Sequence, residues 1–351
     1  PITVQSYPGE WAKIDGYAAV VPTGGYSTLY VEGSDVIFRD LEVFNSNPDR
    51  TQNAGNAAQV NGVYIHSPRS KFINCLVHDN PGDCFGFWED ATGGELYGNI
   101  CFNNGVHEVD ANVYWGHGVY GQNAEGVKTI KDNIVLHAWS TGIGPHGSAV
   151  SINNFTIEHN IVFQNGSYAV NPADYDTSLP GYNLYFDLTS ADSVTGLKLH
   201  NNYTFYTPLA TRQSLRLTQP TTSMELTGNY LMRGGVTVGT LTTPTITGNT
   251  IFYSSLSGIT EAGYPSNMWY SAEAAEAPTV NVVVVRPNTY DVNQANIVIY
   301  NWEGLSSVSV DIDSLGWPAG STYELHNAED YFVDIATGTY TGANLTIDMT
   351  D

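Results

Sequence analysis

One short pattern recurs along this chain and restricts its fold more than any other feature. A polar residue, usually Asn, is followed by alternating apolar residues: Gly98-Asn99-Ile100-Cys101-Phe102, Asp132-Asn133-Ile134-Val135-Leu136, His159-Asn160-Ile161-Val162-Phe163. Counting Asp40, Asn74, Asn99, Asn133, Asn160, Asn202, Asn229 and Asn249 as pivots, the separations are 34, 25, 34, 27, 42, 27 and 20 residues. A base period of 20 to 27 with insertions is the mark of a solenoid, whose insertions emerge as loops between coils. Each unit holds a short strand with one apolar face, which a single coil cannot bury. Stacked coils pair such strands in parallel, about 4.8 Å apart, and bury a continuous interior. The pivots then stack as a ladder at a corner, where Asn tolerates the left-handed turn conformation. Eight in-phase copies favour a right-handed parallel β-helix over a β-sandwich rich in Asn turns.

The repeat fades near residue 255. We expect an all-β chain: a parallel β-helix over 1–255, an irregular linker over 256–278, and a small antiparallel β-sandwich over 279–351. The last rests on Val280 to Arg286, Ile297 to Tyr300, Val308 to Asp311, Tyr323 to Leu325 and Leu345 to Ile347, at hairpin spacing with Gly and Pro turns.

Charge limits the partners. Twelve Lys and Arg against 35 Asp and Glu give a net charge of −23. That excludes the basic footprint needed for nucleic acid or an anionic membrane, and disfavours an anionic polysaccharide unless cations intervene. A chain that is 42% hydrophobic and 12% aromatic supports a packed core. No run of 18 apolar residues suggests a membrane span. The three cysteines, Cys75, Cys84 and Cys101, read as small buried hydrophobes.

A second strand aligns the coils. Val63-Tyr64-Ile65-His66-Ser67 is placed over Gly86-Phe87-Trp88-Glu89-Asp90, then Val119-Tyr120-Gly121-Gln122-Asn123, then Ile143-Gly144-Pro145-His146-Gly147. With Val63 and Ile65 inward, one outer column is Tyr64, Phe87 and Tyr120, and the next is His66, Glu89, Gln122 and His146. An aromatic stripe beside a polar stripe suits a polysaccharide, since rings stack on pyranoses and polar groups bond hydroxyls. The insertions at 79–85 and 105–117 adjoin this face, and six of the nine His fall between residues 66 and 146. The expected catalytic set is His117, His146, Tyr120 and Glu89. The expected substrate-binding set is Tyr64, Phe87, His66, Gln122, Asn123, Trp115 and His107. Elimination from a uronate would use His117 or His146 as base and Tyr120 as acid, with calcium on Asp83, Glu89 or Asp90 offsetting the carboxylate. Glycoside hydrolysis would pair Glu89 with Asp83, Glu108 or Asp110. A transition-metal site at His107, Glu108 and His117 has no diagnostic spacing.

The opening Pro1-Ile2-Thr3-Val4, Tyr7-Pro8-Gly9-Glu10 and Ile14-Asp15-Gly16 resembles the first coil of secreted β-helix proteins of the pectate-lyase-like superfamily. Gly116 to Asn123 and Gly142 to Gly147 resemble a bacterial subgroup, and Arg286 to Tyr290 with Val298 to Trp302 resemble its appended module. The resemblance implies secretion and a polysaccharide partner, in a superfamily that holds lyases, hydrolases, epimerases and non-catalytic proteins. Related chains carry an N-terminal cap ahead of the equivalent of Pro1, so end-to-end self-association is an expectation. The paired Asp of polygalacturonases and the Lys/Arg pairs of known lyases are not recognisable. The alternative is a non-catalytic extracellular protein: a polysaccharide binder, adhesin, or filament or sheath subunit.

Overall fold

The computed structural model describes residues 1–17, 27–52, 60–147, 152–166, 181–188, 194–207, 212–333 and 335–350. Two compact units result, Pro1–Glu276 and Ala277–Asp351.

The first unit is a parallel β-helix. One of its faces is a nine-stranded parallel sheet that begins with Ile2–Gln5, Val36–Arg39, Lys71–Ile73 and Glu95–Tyr97 and runs on to Thr245–Thr247. A second face stacks Leu41–Phe44, Leu76–His78, Ile100–Phe102, Ile134–Leu136 and Ile161–Phe163. The third stacks Ser27–Val31, Asn61–Ile65, Phe85–Phe87, His117–Gly121, Thr141–Gly147, Gly181–Leu188 and Arg212–Leu217, again in parallel. Apolar residues of all three faces meet inside. Val63, Phe85, Val119, Ile143, Leu184 and Leu215 form one inward row, and Ile130, Ile157, Leu199 and Leu226 another, each almost wholly buried. Outside, the nine-stranded face carries ion pairs along the stacking direction, including Lys71–Glu95 at 2.6 Å, Lys131–Glu158 at 2.8 Å and Lys198–Glu225 at 3.2 Å.

The expected ladder is present, shifted at its start. The Asn99 side-chain amide donates to Asn133 at 2.9 Å, and the series continues through Asn160, Asn202, Asn229, Asn249 and Asn267 with steps of 2.8–3.0 Å. Asp40 and Asn74 are not rungs. Both have φ of +55°, and they align instead with Gly98, Asp132, His159 and Asn201, the residues that precede each rung. The corner therefore divides two tasks that the sequence pattern merged. One residue takes the left-handed turn, and the next, buried, carries the amide. Cys75 occupies the rung position beside Asn99, whose Oδ1 accepts its backbone N–H at 2.9 Å. A second ladder, missed in the sequence, joins Asn80 to Asn104 at 3.0 Å and Asn165 to Asn183 at 3.1 Å, with Ala138 interrupting it.

Two expectations change. The coils continue past residue 255: Met268–Ser271 pairs in parallel with Thr250–Ser257, and Asn267 is a ladder rung. Cys84 and Cys101 are not merely buried hydrophobes but form a disulfide, with Cα atoms 6.2 Å apart; Cys75 is free and buried. The C-terminal unit is antiparallel, as expected: among the described residues Val282–Pro287 pairs with Ala295–Tyr300, Ser307–Val310 with Leu345–Asp348, and Thr322–His326 with Ile335–Thr339. Val308, Val310, Ile312 and Tyr340 form its small core. Among the described residues no helix is long and apolar enough to cross a membrane.

Candidate functional site

The third face carries the site. Register places Tyr30, Tyr64, Gly86, Tyr120, Gly144 and Tyr185 in one column, and His66, Trp88, Gln122 and His146 in the next. Rings alternate with glycine in the first column for a steric reason. A Cβ on Gly86 would sit 2.7 Å from the Tyr64 ring and 2.9 Å from the Trp88 indole nitrogen. The missing side chain lets both neighbours lie across the strand, as aromatic rings do over glycine in sheets.

The result is a continuous aromatic wall. Tyr30 stacks on His66 at 5.3 Å between centroids, His66 stacks on Trp88 at 5.5 Å, and Trp88 lies 5.1 Å from Tyr120. Tyr120 is 5.9 Å from His146, which lies 6.3 Å from Tyr185, itself stacked on Tyr182 at 4.4 Å. The Arg216 guanidinium lies 5.7 Å from the Tyr182 ring.

An oriented histidine stands beside the middle of this wall. Asp83 Oδ1 accepts from both the His117 backbone N–H and Nδ1, each at 2.8 Å. Asp83 is itself held, because its N–H donates to Asn61 Oδ1 at 2.6 Å and the next residue, Cys84, is tied to Cys101. With Nδ1 donating to a carboxylate, the neutral imidazole leaves Nε2 as the basic nitrogen. The His117 ring meets Tyr120 edge-on at 5.3 Å, and Gln122 Nε2 donates to the Tyr120 hydroxyl at 3.0 Å. Burial, aided by Asp83 and Tyr120 nearby, pushes the Tyr64 hydroxyl well above the usual tyrosine range, so it keeps its proton.

Beneath the wall lies Lys128, fully buried. Its ammonium donates to the carbonyls of Phe87 at 3.2 Å, Trp88, and Gln122 at 2.7 Å, and lies 4.4 Å from the Phe87 ring. Burial lowers its pKa to about 7, against the pull of Asp90 and Glu89. It braces the strands that present Trp88 and Gln122.

Of the residues singled out in the sequence, the structure brings together Tyr64, His66, Tyr120, Gln122, His146, His117 and Asp83. Phe87 does not face outward. It is 0% exposed and points into the core, because Phe85 and Phe87 are the inward pair and the coil sits one residue from the expected alignment. Trp88 takes its place. Asn123 is likewise internal: it donates to the carbonyls of Gly126 and Asn153 and braces a turn rather than meeting a ligand. Glu89 lines a groove next to the wall with His66, Trp88, Asp90, Gln122 and Glu125. His107 and Trp115 belong to a separate hairpin, Val106–Glu108 with Val113–Trp115, where His107 stacks on Tyr114 at 4.3 Å and Trp115 donates to Glu108 at 2.9 Å. Tyr30, Trp88, Tyr182 and Tyr185 were missed; the alternation of Tyr and Gly down the column was the available signal.

A calcium ion needs six or more oxygens. Asp83 Oδ1 serves His117, and Asp90 Oδ2 lies 3.1 Å from His66 Nδ1. Among the described residues no group of three or more His, Cys, Asp and Glu side chains is placed to hold a metal.

Residues 20–188 match the family described as the right-handed β-helix region. Among solved structures, the Dettilon tailspike protein is similar at 13% identity and a TM-score of 0.47, over 97% of this chain and 68% of that one. A pectate lyase is similar at 14% and 0.44, over 75% of this chain and 61% of the lyase, so the match spans about six-tenths of that protein. The A-module of an Azotobacter vinelandii mannuronan C-5 epimerase follows at 13% and 0.24, over 72% and 79%. At these values they carry no argument about activity. No curated protein matches the sequence. The β-helix expected from the asparagine pattern is borne out by the strand register, and the match of residues 20–188 to the right-handed β-helix region agrees with it.

Proposed function

We propose that this protein is a secreted polysaccharide lyase that binds its substrate along the Tyr30–Tyr185 wall and cleaves it beside His117. The observation that carries this is the 2.8 Å contact of Asp83 with His117 Nδ1, next to the aromatic wall. It supplies an oriented base where sugar rings would stack.

The chemistry follows from the groups at hand. His117 Nε2 takes the proton from the carbon next to a uronyl carboxyl group, the glycosidic C–O bond breaks, and a C=C bond forms. Tyr120 gives its hydroxyl proton to the departing oxygen. Tyr64, which stays protonated, donates a hydrogen bond to the carboxyl oxygen as charge builds there. Two-carboxylate hydrolysis is less well served, because Asp83 is committed to His117 and Glu108 to Trp115. The Cys84–Cys101 disulfide supports an oxidising, extracellular setting.

The test is a panel of polysaccharides, with and without calcium, followed by absorbance of unsaturated ends and by assay of new reducing ends. Unsaturated products are expected, with H117A about 10²- to 10⁴-fold slower while still folded. Reducing ends without unsaturation would replace elimination by hydrolysis. Binding with no new ends would leave a non-catalytic polysaccharide binder, and an unimpaired H117A would remove the proposed base.

A further inference from the structure

Beyond Tyr185 the wall meets a cation that has no carboxylate partner among the described residues. Two outward columns run side by side along the third face: His117, Thr141, Tyr182 and Gln213 in one, Tyr120, Gly144, Tyr185 and Arg216 in the other. Gln213 and Arg216 thus stand where His117 and Tyr120 stand, three coils further on, which is about 14 Å at about 4.8 Å per coil. The coil after His117 carries only Gly144 and the buried Thr141 there, so a chain lying along the wall meets no obstacle in these columns. Gln213 and Arg216 are partly exposed, on a strand whose Leu215 and Leu217 are buried in the core. The Arg216 guanidinium lies over Tyr182, whose ring stacks on Tyr185. Among the described residues Arg216 pairs with no carboxylate, its Nε finds no acceptor, and Gln213 Oε1 finds no donor. By contrast, Lys13, Arg39, Arg69, Lys71, Lys131 and Lys198 each pair with a carboxylate, and Arg50, Lys128 and Arg212 are buried.

We infer that Arg216, with Gln213, is a specificity-determining subsite for the carboxylate of a second uronate, one that lies on the Tyr182–Tyr185 pair while another is cleaved beside His117. The inference rests on the reading of the wall as a polysaccharide site and adds a demand on the substrate: acidic units recur along the chain. A guanidinium presents a planar fork of donors that matches a carboxylate, and the Tyr182 ring beneath orients it. Gln213 offers an acceptor and two donors to the hydroxyls of the same sugar. The stacked tyrosine rings take the sugar's apolar face. A protein of net charge −23 repels an anionic chain over most of its surface, and an unpaired cation on the wall supplies the local attraction that such a chain needs.

The test uses the H117A protein, so that chains stay whole, and measures by calorimetry the binding of galacturonate and mannuronate hexamers, each as the free acid and as the methyl ester. Esterification removes the charge and keeps the ring. Into this protein R216Q, R216K and K198Q are introduced singly, the last an equal charge change on the nine-stranded face. For whichever hexamer binds, R216Q is expected to weaken the acid about tenfold, as loss of a charge-assisted bond implies, and to leave the ester nearly unchanged. R216K should recover part of the loss, K198Q should cause little, and the R216Q effect should shrink in high salt. An acid-to-ester ratio unchanged by R216Q, or lowered as much by K198Q, overturns the inference, as does binding of neutral polysaccharides alone. If a saccharide is still bound on the wall in that case, the wall reading stands without this subsite. If no saccharide of any kind binds, both fall together.

Discussion

Replacing Asn160 by Ala tests the ladder that sets every coil in register. Asn160 is 0% exposed and sits mid-ladder. Its side-chain amide donates to Ile130 O at 2.9 Å and to Asn202 Oδ1 at 3.0 Å, while its Oδ1 accepts from the Asn133 backbone N–H at 3.0 Å and the Asn133 side chain at 2.9 Å. Truncation leaves the Asn133 N–H buried without that acceptor, at about 1–3 kcal/mol, and removes further bonds worth about 0.5–1.5 kcal/mol each. The sum is about 2.5–7.5 kcal/mol. For a unit of this size, about 2–4 °C per kcal/mol gives a fall in Tm of about 5–30 °C. Calorimetric melting of wild type, N160A and an exposed control, T247A, measures it. A fall no larger than that of the control would show that the amide ladder does not hold the coils.

Other outcomes follow from the same geometry. Reducing the Cys84–Cys101 disulfide frees a 17-residue separation and should cost about 3 kcal/mol, read as a lower denaturation midpoint in C84A/C101A; an unchanged midpoint would mean the loop is held without it. Cys75 is buried, with its thiol pKa pushed up to about 12 by burial, so a thiol reagent should label it only on unfolding; fast labelling of native protein would contradict its placement. Lys128 has a folded pKa of about 7, below the 10.5 of an exposed lysine, so the folded state binds fewer protons between those values. Stability should therefore rise with pH from about 7 to 10.5, and K128M should lose that rise; parallel profiles for the two proteins would refute the buried charge.

The fold was legible because a solenoid writes its period into the chain. Asn99 through Asn249 mark successive coils whatever lies between them, and the amide needs a buried neighbour of its own kind. The register of the site was harder to read. At 85–88 the run Phe-Gly-Phe-Trp offers two alignments, and a slip of one residue exchanges inward and outward faces. The sequence alignment places Phe87 on the wall, whereas the structure puts Trp88 there. Gly86, opposite Tyr64 and Tyr120, resolves the choice once its lack of a side chain is seen as room for two rings. The pairing of Asp83 with His117, 34 residues apart, depends on the loop after His78 returning over the next coil, and local pattern does not show it. The same holds for Cys84 and Cys101, which lie at different faces of one coil and meet in its interior.

The most direct test of the account is a crystal structure of the H117A protein with a bound oligosaccharide. Sugar rings lying over Trp88 and Tyr120, with a glycosidic oxygen within reach of the Tyr120 hydroxyl, are the expected result. An oligosaccharide bound on another face, with the Tyr30–Tyr185 wall bare, would contradict it.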